Sequence, residues 1–284
     1  MAYRLYLSSI LACLACLGIA SMLDADLAVA AGPLAPIGPG YNWSGFYLGL
    51  NVGGGWNRDR GPASCFNEFG VLNGPDCQVL PAGTTGAVNA AGVVAGGQLG
   101  YNWQYGRTVL GLEADFEGSG ISGATNVNGP FGFAVSAGPG DVALPAGTYS
   151  ASEKIDWFGT LRGRLGYAAL DRALIYVTGG LAYGHISAST NFTAPNVSTI
   201  YPGETSATNI GWTVGGGVEY ALTDDLSARV EGLYYDLGSV TVIGNEIPPT
   251  FTPFPFQHNK TFDANGTIVR VGLNYKLSGA ITGH

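Results

Sequence analysis

The chain has 284 residues, of which only 11% are charged, 11% are aromatic and 46 are glycine. A soluble domain usually carries about 25% charge and about 7% glycine, so this composition suits a water-facing surface poorly. The net charge of −8, with only 12 Lys and Arg, excludes a nucleic-acid footprint, which needs clustered cations. The low charge excludes charge-driven disorder, and glycines without a period of three exclude collagen.

The first element is a targeting segment. Arg4 supplies a cation, residues 5–20 form an apolar run of 16, and Ala28-Val29-Ala30 completes an A-x-A cleavage site. The run is too short for a spanning helix, which needs about 20 residues. Residues 1–30 are therefore expected to be a signal peptide, and 31–40 a Pro/Gly linker. Cys13 and Cys16 leave with the signal. Cys65 and Cys77 remain close together in an exported chain and are expected to form a disulfide, worth roughly 3 kcal/mol in the chain-entropy picture. Two cysteines without a nearby His make no metal site, and no cofactor is expected.

From residue 41 the pattern is alternation, turn, alternation. Val269, Val271, Leu273, Tyr275 and Leu277 interleave with Arg270, Gly272, Asn274 and Lys276, the signature of a strand with one apolar face. The same reading predicts eight strands near 43–56, 91–104, 107–118, 152–169, 173–186, 208–222, 226–239 and 265–277. Tight turns at Tyr105-Gly106, Leu170-Asp171-Arg172 and Thr223-Asp224-Asp225 alternate with connections of about 20–35 residues. Short turns at one end and long loops at the other describe a transmembrane barrel with its termini on the turn side. The expected fold is an all-β, eight-stranded antiparallel up-and-down barrel over 41–277, followed by a short extension, 278–284.

Parity then divides the side chains. Trp56, Phe116, Trp157, Tyr183, Trp212 and Tyr234 fall outward near the loops. Phe46, Tyr101, Trp103, Tyr167, Tyr220 and Tyr275 fall outward near the turns, giving two interfacial girdles. A soluble lipocalin-like barrel would have the opposite polarity. The inward set collects Glu113, Asp115, Arg162, Arg164, Glu219, Arg229, Glu231, Arg270 and Lys276. Charge is costly in hydrocarbon, and eight strands leave an interior that side chains fill. The expectation is a plugged, salt-bridged lumen. Inward glycines such as Gly100, Gly217 and Gly272 would make room for the Arg side chains.

The stretches YNWSGFYLGLNVGGGW (41–56), GQLGYNWQ (97–104), DWFGTLRGRLGY (156–167) and VRVGLNYKL (269–277) resemble strands of the small alphaproteobacterial outer-membrane proteins. These are the outer-membrane immunogenic or porin-family proteins, with an OmpA-like eight-stranded barrel. The resemblance implies the outer membrane of a Gram-negative bacterium, with outer-membrane lipids and the barrel-assembly machinery as partners. Arg270, Gly272, Tyr275 and Leu277 resemble the assembly signal of a closing strand, although Leu277 stands where Phe is usual and the chain continues to His284. Deleting 278–284 is expected to leave insertion intact.

His185-Ile186-Ser187 resembles the His-x-Ser of lipid A deacylases. The orienting acid is missing, the nearest later carboxylate being Glu204, in an expected loop. Some members of the family are implicated in haem capture, and the loop residues His258 and Tyr201 could ligate iron here, but two unrelated loop residues carry little weight. The expected function is therefore not enzymatic. It is a structural, surface-exposed barrel contributing to envelope integrity and surface interactions with host or environmental ligands. A narrow porin is the alternative, and a lipid A-modifying enzyme the remote one. Residues 119–151 carry only Asp141 and 187–207 only Glu204, so the outer face is nearly neutral and a strongly charged partner is not expected.

Overall fold

The computed structural model describes residues 40–59, 66–67, 86–130, 134–135, 142–143, 146–194, 199–245, 247 and 257–277. The expected signal peptide, Cys65 and Cys77 of the expected disulfide, and residues 278–284 lie outside them. The sheet lies within the compact unit Tyr41–His284. Its strands are β1 (Gly45–Arg58), β2 (Asn89–Tyr105), β3 (Thr108–Ser119), β4 (Ser122–Pro130), β5 (Ala146–Leu170), β6 (Ala173–Ala194), β7 (Thr199–Ala221), β8 (Leu226–Asn245) and β9 (Gln257–Lys276).

Every pairing is antiparallel, and strands adjacent in sequence pair with each other, except β3 with β4. β3 and β4 share one place in the ring: β3 pairs with the lower part of β5 and β4 with its upper part. β1 closes the ring by pairing with β9, from Tyr47 opposite Lys276 to Asn57 opposite Gly266. The result is an eight-membered ring, and closure removes the exposed edges of an open sheet.

The turns follow from local chemistry. Gly106 takes a φ of +62° between β2 and β3, which only glycine adopts without strain. Between β7 and β8 the Thr223 hydroxyl accepts from the backbone N–H groups of Asp225 and Leu226, a local turn of the kind Ser and Thr favour.

The upper half departs from expectation. β5, β6 and β7 run to 25, 22 and 23 residues, well past the predicted ends. Most of 187–207 is strand rather than loop, and only four residues, 195–198, separate β6 from β7. Within 119–151, β4 pairs with β5 from Ser122 opposite Lys154 to Pro130 opposite Ala146. Register shifts mark where the extension begins, between Ile155 and Trp157 on β5 and between Asp236 and Ser239 on β8. At the second, the Asp236 carboxylate accepts from the N–H of Gly238, whose φ is +76°. Such bulges re-aim side chains.

The interior is layered. Trp43, Val109, Leu174 and Ala221 cluster at the turn end. Above the middle of the barrel, Ile155, Phe158, Ile186, Leu233, Tyr235 and Ile268 belong to an apolar belt. Higher still, Tyr149, Phe192, Tyr201, Val242 and Phe262 form a second apolar core.

Candidate functional site

The middle layer, between the turn-end cluster and the belt, is charged. Two residues per step along each strand place it: Glu231 lies one step below Leu233, Arg270 one step below Ile268, and Arg162 two steps below Phe158. Arg162 on β5 donates to Glu113 at 2.5 Å, Asp115 at 2.9 Å and Glu231 at 3.0 Å, and to the Thr160 hydroxyl at 2.8 Å. Arg270 on β9 donates to Asp115 at 2.8 Å and Glu231 at 2.6 Å, and also binds Glu117. Arg229 donates to Glu113 at 2.6 Å. The Tyr47 hydroxyl donates to the same carboxylate at 2.6 Å.

A second group lies nearer the turns. Arg164 binds Glu219 and lies 3.8 Å over the Tyr176 ring. Glu219 also accepts from Ser227 at 2.5 Å and Asn274 at 2.7 Å, and Asn274 accepts from Gln98 at 2.7 Å. The ionised side chains of both groups are at most 4% exposed. Because the acids of β3 pair with bases from β5, β8 and β9, the network crosses the barrel rather than following its wall. Removing one partner from such a buried set typically costs about 3–5 kcal/mol, because the other charge stays buried and unpaired.

Eight of the nine expected lumen charges are here. Lys276 is not: its amine donates to the Asn42 carbonyl at 2.5 Å and lies 5.1 Å from the centre of the Tyr41 ring, at the turn-end mouth. Glu117 was missed, although it shares the parity of Glu113 and Asp115; its place at the predicted end of the strand obscured it. The inward glycines also serve differently from expectation. A methyl at Gly100 would collide with the Tyr47 ring, and one at Gly217 would come within 2.7 Å of the Tyr176 hydroxyl. Gly272 borders an Arg side chain, its methyl position lying 3.4 Å from Arg229 Nε.

The outer wall matches the reading by parity. Leu50, Val177, Leu181, Val230 and Val271 are exposed along the middle, with Trp56, Phe116 and Trp212 above and Tyr167, Tyr220 and Tyr275 below. Edge-on and tilted ring pairs tie the girdles together, as in Trp212–Tyr234 at 5.5 Å and Phe46–Tyr101 at 4.5 Å. No helix among the described residues is long and apolar enough to cross a membrane; the strands do so.

The candidate catalytic pair is not assembled for acyl transfer. The Ser187 hydroxyl donates to Asp156 at 2.8 Å, while His185 Nδ1 lies 3.2 Å from the Thr208 hydroxyl. A nucleophile needs its base within hydrogen-bond reach, and here the acid holds the hydroxyl instead. Glu204 lies on β7 opposite Ser189 rather than in a loop. Tyr201 is likewise not a loop residue: it points into the upper core, its ring 5.7 Å from that of Phe192. The backbone of His258 belongs to β9, opposite Gly244.

Above the outer girdle the interior holds two further titratable features that the sequence reading did not single out. Lys260 donates to Asp59 at 2.6 Å, both side chains fully buried. Glu153 accepts from the Asn57 side-chain amide at 2.8 Å. Burial, and secondarily the nearby Asp59 carboxylate, push the Glu153 carboxyl up to about 8.

Residues 13–276 match the family described as outer membrane protein beta-barrel domain. The chain belongs to this family. It is 35% identical to the 31 kDa outer-membrane immunogenic protein of Brucella melitensis, over 95% of this chain and 99% of that protein. It is 30% identical to the 22 kDa outer membrane protein of Rhizobium leguminosarum, over 72% of this chain and 69% of that one. Among solved structures, the outer membrane protein OprG of Pseudomonas aeruginosa aligns with a TM-score of 0.42 and 14% identity, covering 83% of this chain and 97% of that one. This family member is an outer-membrane protein of a Gram-negative bacterium, and its strands cross that membrane between the two girdles.

Proposed function

We propose that this outer-membrane barrel is a structural, surface-exposed protein whose filled lumen keeps it closed, so that it strengthens the envelope and presents an extension to the outside. One observation carries the reading: Arg162, Arg229 and Arg270 tie β3, β5, β8 and β9 together across the interior, with apolar layers above and below. The name immunogenic, borne by the Brucella relative, supports display at the surface. The separation of His185 from Ser187 supports a non-enzymatic role.

The partners in this reading are outer-membrane lipids along the wall and the barrel-assembly machinery, which would recognise Arg270, Gly272, Tyr275 and Leu277. Leu277 already lies at the seam, its N–H donating to the Phe46 carbonyl at 2.9 Å. Planar-bilayer recording tests the proposal. The purified barrel is expected to show no steady conductance, and Arg162→Ala is expected to introduce brief openings. A large steady conductance of the unmodified protein would overturn it in favour of a porin.

A further inference from the structure

Above the outer girdle, β4, β5, β6 and β7 form one continuous sheet whose outward residues are set by register. Asn126, Ser150 and Asn191 stand in one cross-strand row, and Ser152, Ser189 and Glu204 in the next. A shallow groove of about 280 Å³ lies along these rows. The Ser152 and Ser189 hydroxyls share a hydrogen bond at 2.8 Å inside it, which holds the small side chains flat.

The chemistry of this face is specific in one respect. Water-facing sheets normally carry about 25–35% Lys, Arg, Glu and Asp. Here the outward charges are few, and Lys154 and Asp156 neutralise each other at 2.5 Å, leaving Glu204 beside the groove. What remains is mainly hydroxyl and amide, groups that both donate and accept, with Ala124 and Pro202 between them. The face also continues directly upward from the lipid-facing wall at Trp157, Tyr183 and Trp212. In the outer leaflet, the layer immediately above that girdle is the carbohydrate of lipopolysaccharide.

We propose that the β4–β7 face binds the sugar portion of the surrounding lipopolysaccharide, with a sugar unit seated in the groove. Sugar hydroxyls exchange hydrogen bonds with Asn126, Asn191, Ser152 and Ser189, and the Glu204 carboxylate accepts from a pair of them. The scarcity of cations on this face makes the neutral sugars, not the phosphates, the recognised part. The inference rests on the surface-exposed placement but not on a closed lumen, so conductance would not decide it.

The test uses the full barrel in lipid nanodiscs. The probe is the lipid-free, dephosphorylated oligosaccharide released from lipopolysaccharide by mild acid, with binding followed by NMR titration. Ser152→Lys with Ser189→Lys fills the groove and is expected to weaken binding at least tenfold. Thr241→Lys, on the β8–β9 wall, is expected to leave it unchanged. Heat-modifiable gel mobility confirms that each variant is folded. Should the double variant fail to fold, Asn191→Ala with Glu204→Gln serves instead, with at least a fivefold loss expected. Three results would overturn the proposal: no binding of the oligosaccharide by the unmodified barrel, equal binding by the groove variants, or self-association of the barrel that the groove variants abolish.

Discussion

Along a single strand this barrel turns itself inside out. On β6 the outward residues below the girdle are Ile175, Val177 and Leu181, and above it Ser187, Ser189 and Asn191. The inward residues change the other way, from Thr178 and Gly180 to Ile186, Ala188 and Phe192. β9 repeats this, with Arg270 and Asn274 inside below and Phe262 and Ala264 inside above. The lower half is built for lipid outside and ionic cross-links within. The upper half is built as a soluble protein is, with an apolar interior in water. One hydrogen-bonded ladder serves both, so the surroundings of each half, not its backbone, decide which side chains face in.

The largest test of this contrast breaks the lower half at its centre. Arg162→Met leaves Glu113, Asp115 and Glu231 short of a partner and is expected to destabilise the barrel by about 3–5 kcal/mol, read by urea unfolding in lipid. In the upper half, Phe192→Ala empties part of the second core. A loss of about 3 kcal/mol is expected, confined to the extension: proteolysis should clip it while the membrane-embedded part stays heat-modifiable. A matched pair sharpens the contrast on the outside. Val177→Arg, on the lipid face, is expected to cost about 2–4 kcal/mol, whereas Asn191→Arg on the same strand should change stability by less than about 0.5 kcal/mol.

Smaller effects concern the charges of the upper half. The Glu153 carboxyl, faced by Asp59, Asp263, Lys260 and Tyr235, is raised from 4.5 to about 8. Between those values the unfolded extension releases a proton that the folded one keeps, so its stability should fall as pH rises through this window and level off above it. Glu153→Gln is expected to remove that slope, measured by protease resistance across the same range. Least of all, Lys154→Ala, which breaks an exposed pair with Asp156, should cost under about 1 kcal/mol.

The lower half was legible because its alternation is strong. Val269, Val271 and Leu273 against Arg270 and Asn274 admit one reading, and parity alone brought together eight of the nine expected charges. Lys276 failed because parity fixes the side of a wall but not the height. At the mouth the backbone of Asn42 and the ring of Tyr41 answer its charge. The upper half was illegible for two physical reasons. Its inward positions include Thr190, Gly203 and Thr205, so the apolar signal is diluted, and its outward Ser, Thr and Asn have the composition of a loop. The bulges then reset the phase. On β5 the inward residues are Arg162, Thr160 and Phe158 below and Ile155, Glu153 and Ala151 above. A fixed period of two carried past Asp156 would turn every one of the upper residues outward. Glu153 was therefore invisible as an interior acid, whereas Asp59 and Lys260 keep the parity of Asn57 and Arg270 and were missed because the predicted strands stop at 56 and begin at 265.

The charged layer also has a direction in time. β3 delivers Glu113, Asp115 and Glu117 within five positions, early in the chain, while the guanidinium that binds Glu117 lies 153 residues later, on the last strand. A sheet that stalls before β9 therefore leaves Glu117 without its guanidinium and Asp115 and Glu231 with one fewer, all facing its own interior, alongside two unfilled edges. The final strand brings Arg270 to those three acids in the same movement that zips to β1. Electrostatics thus discriminates against the half-made barrel, and completion is favoured by more than the backbone bonds at the seam.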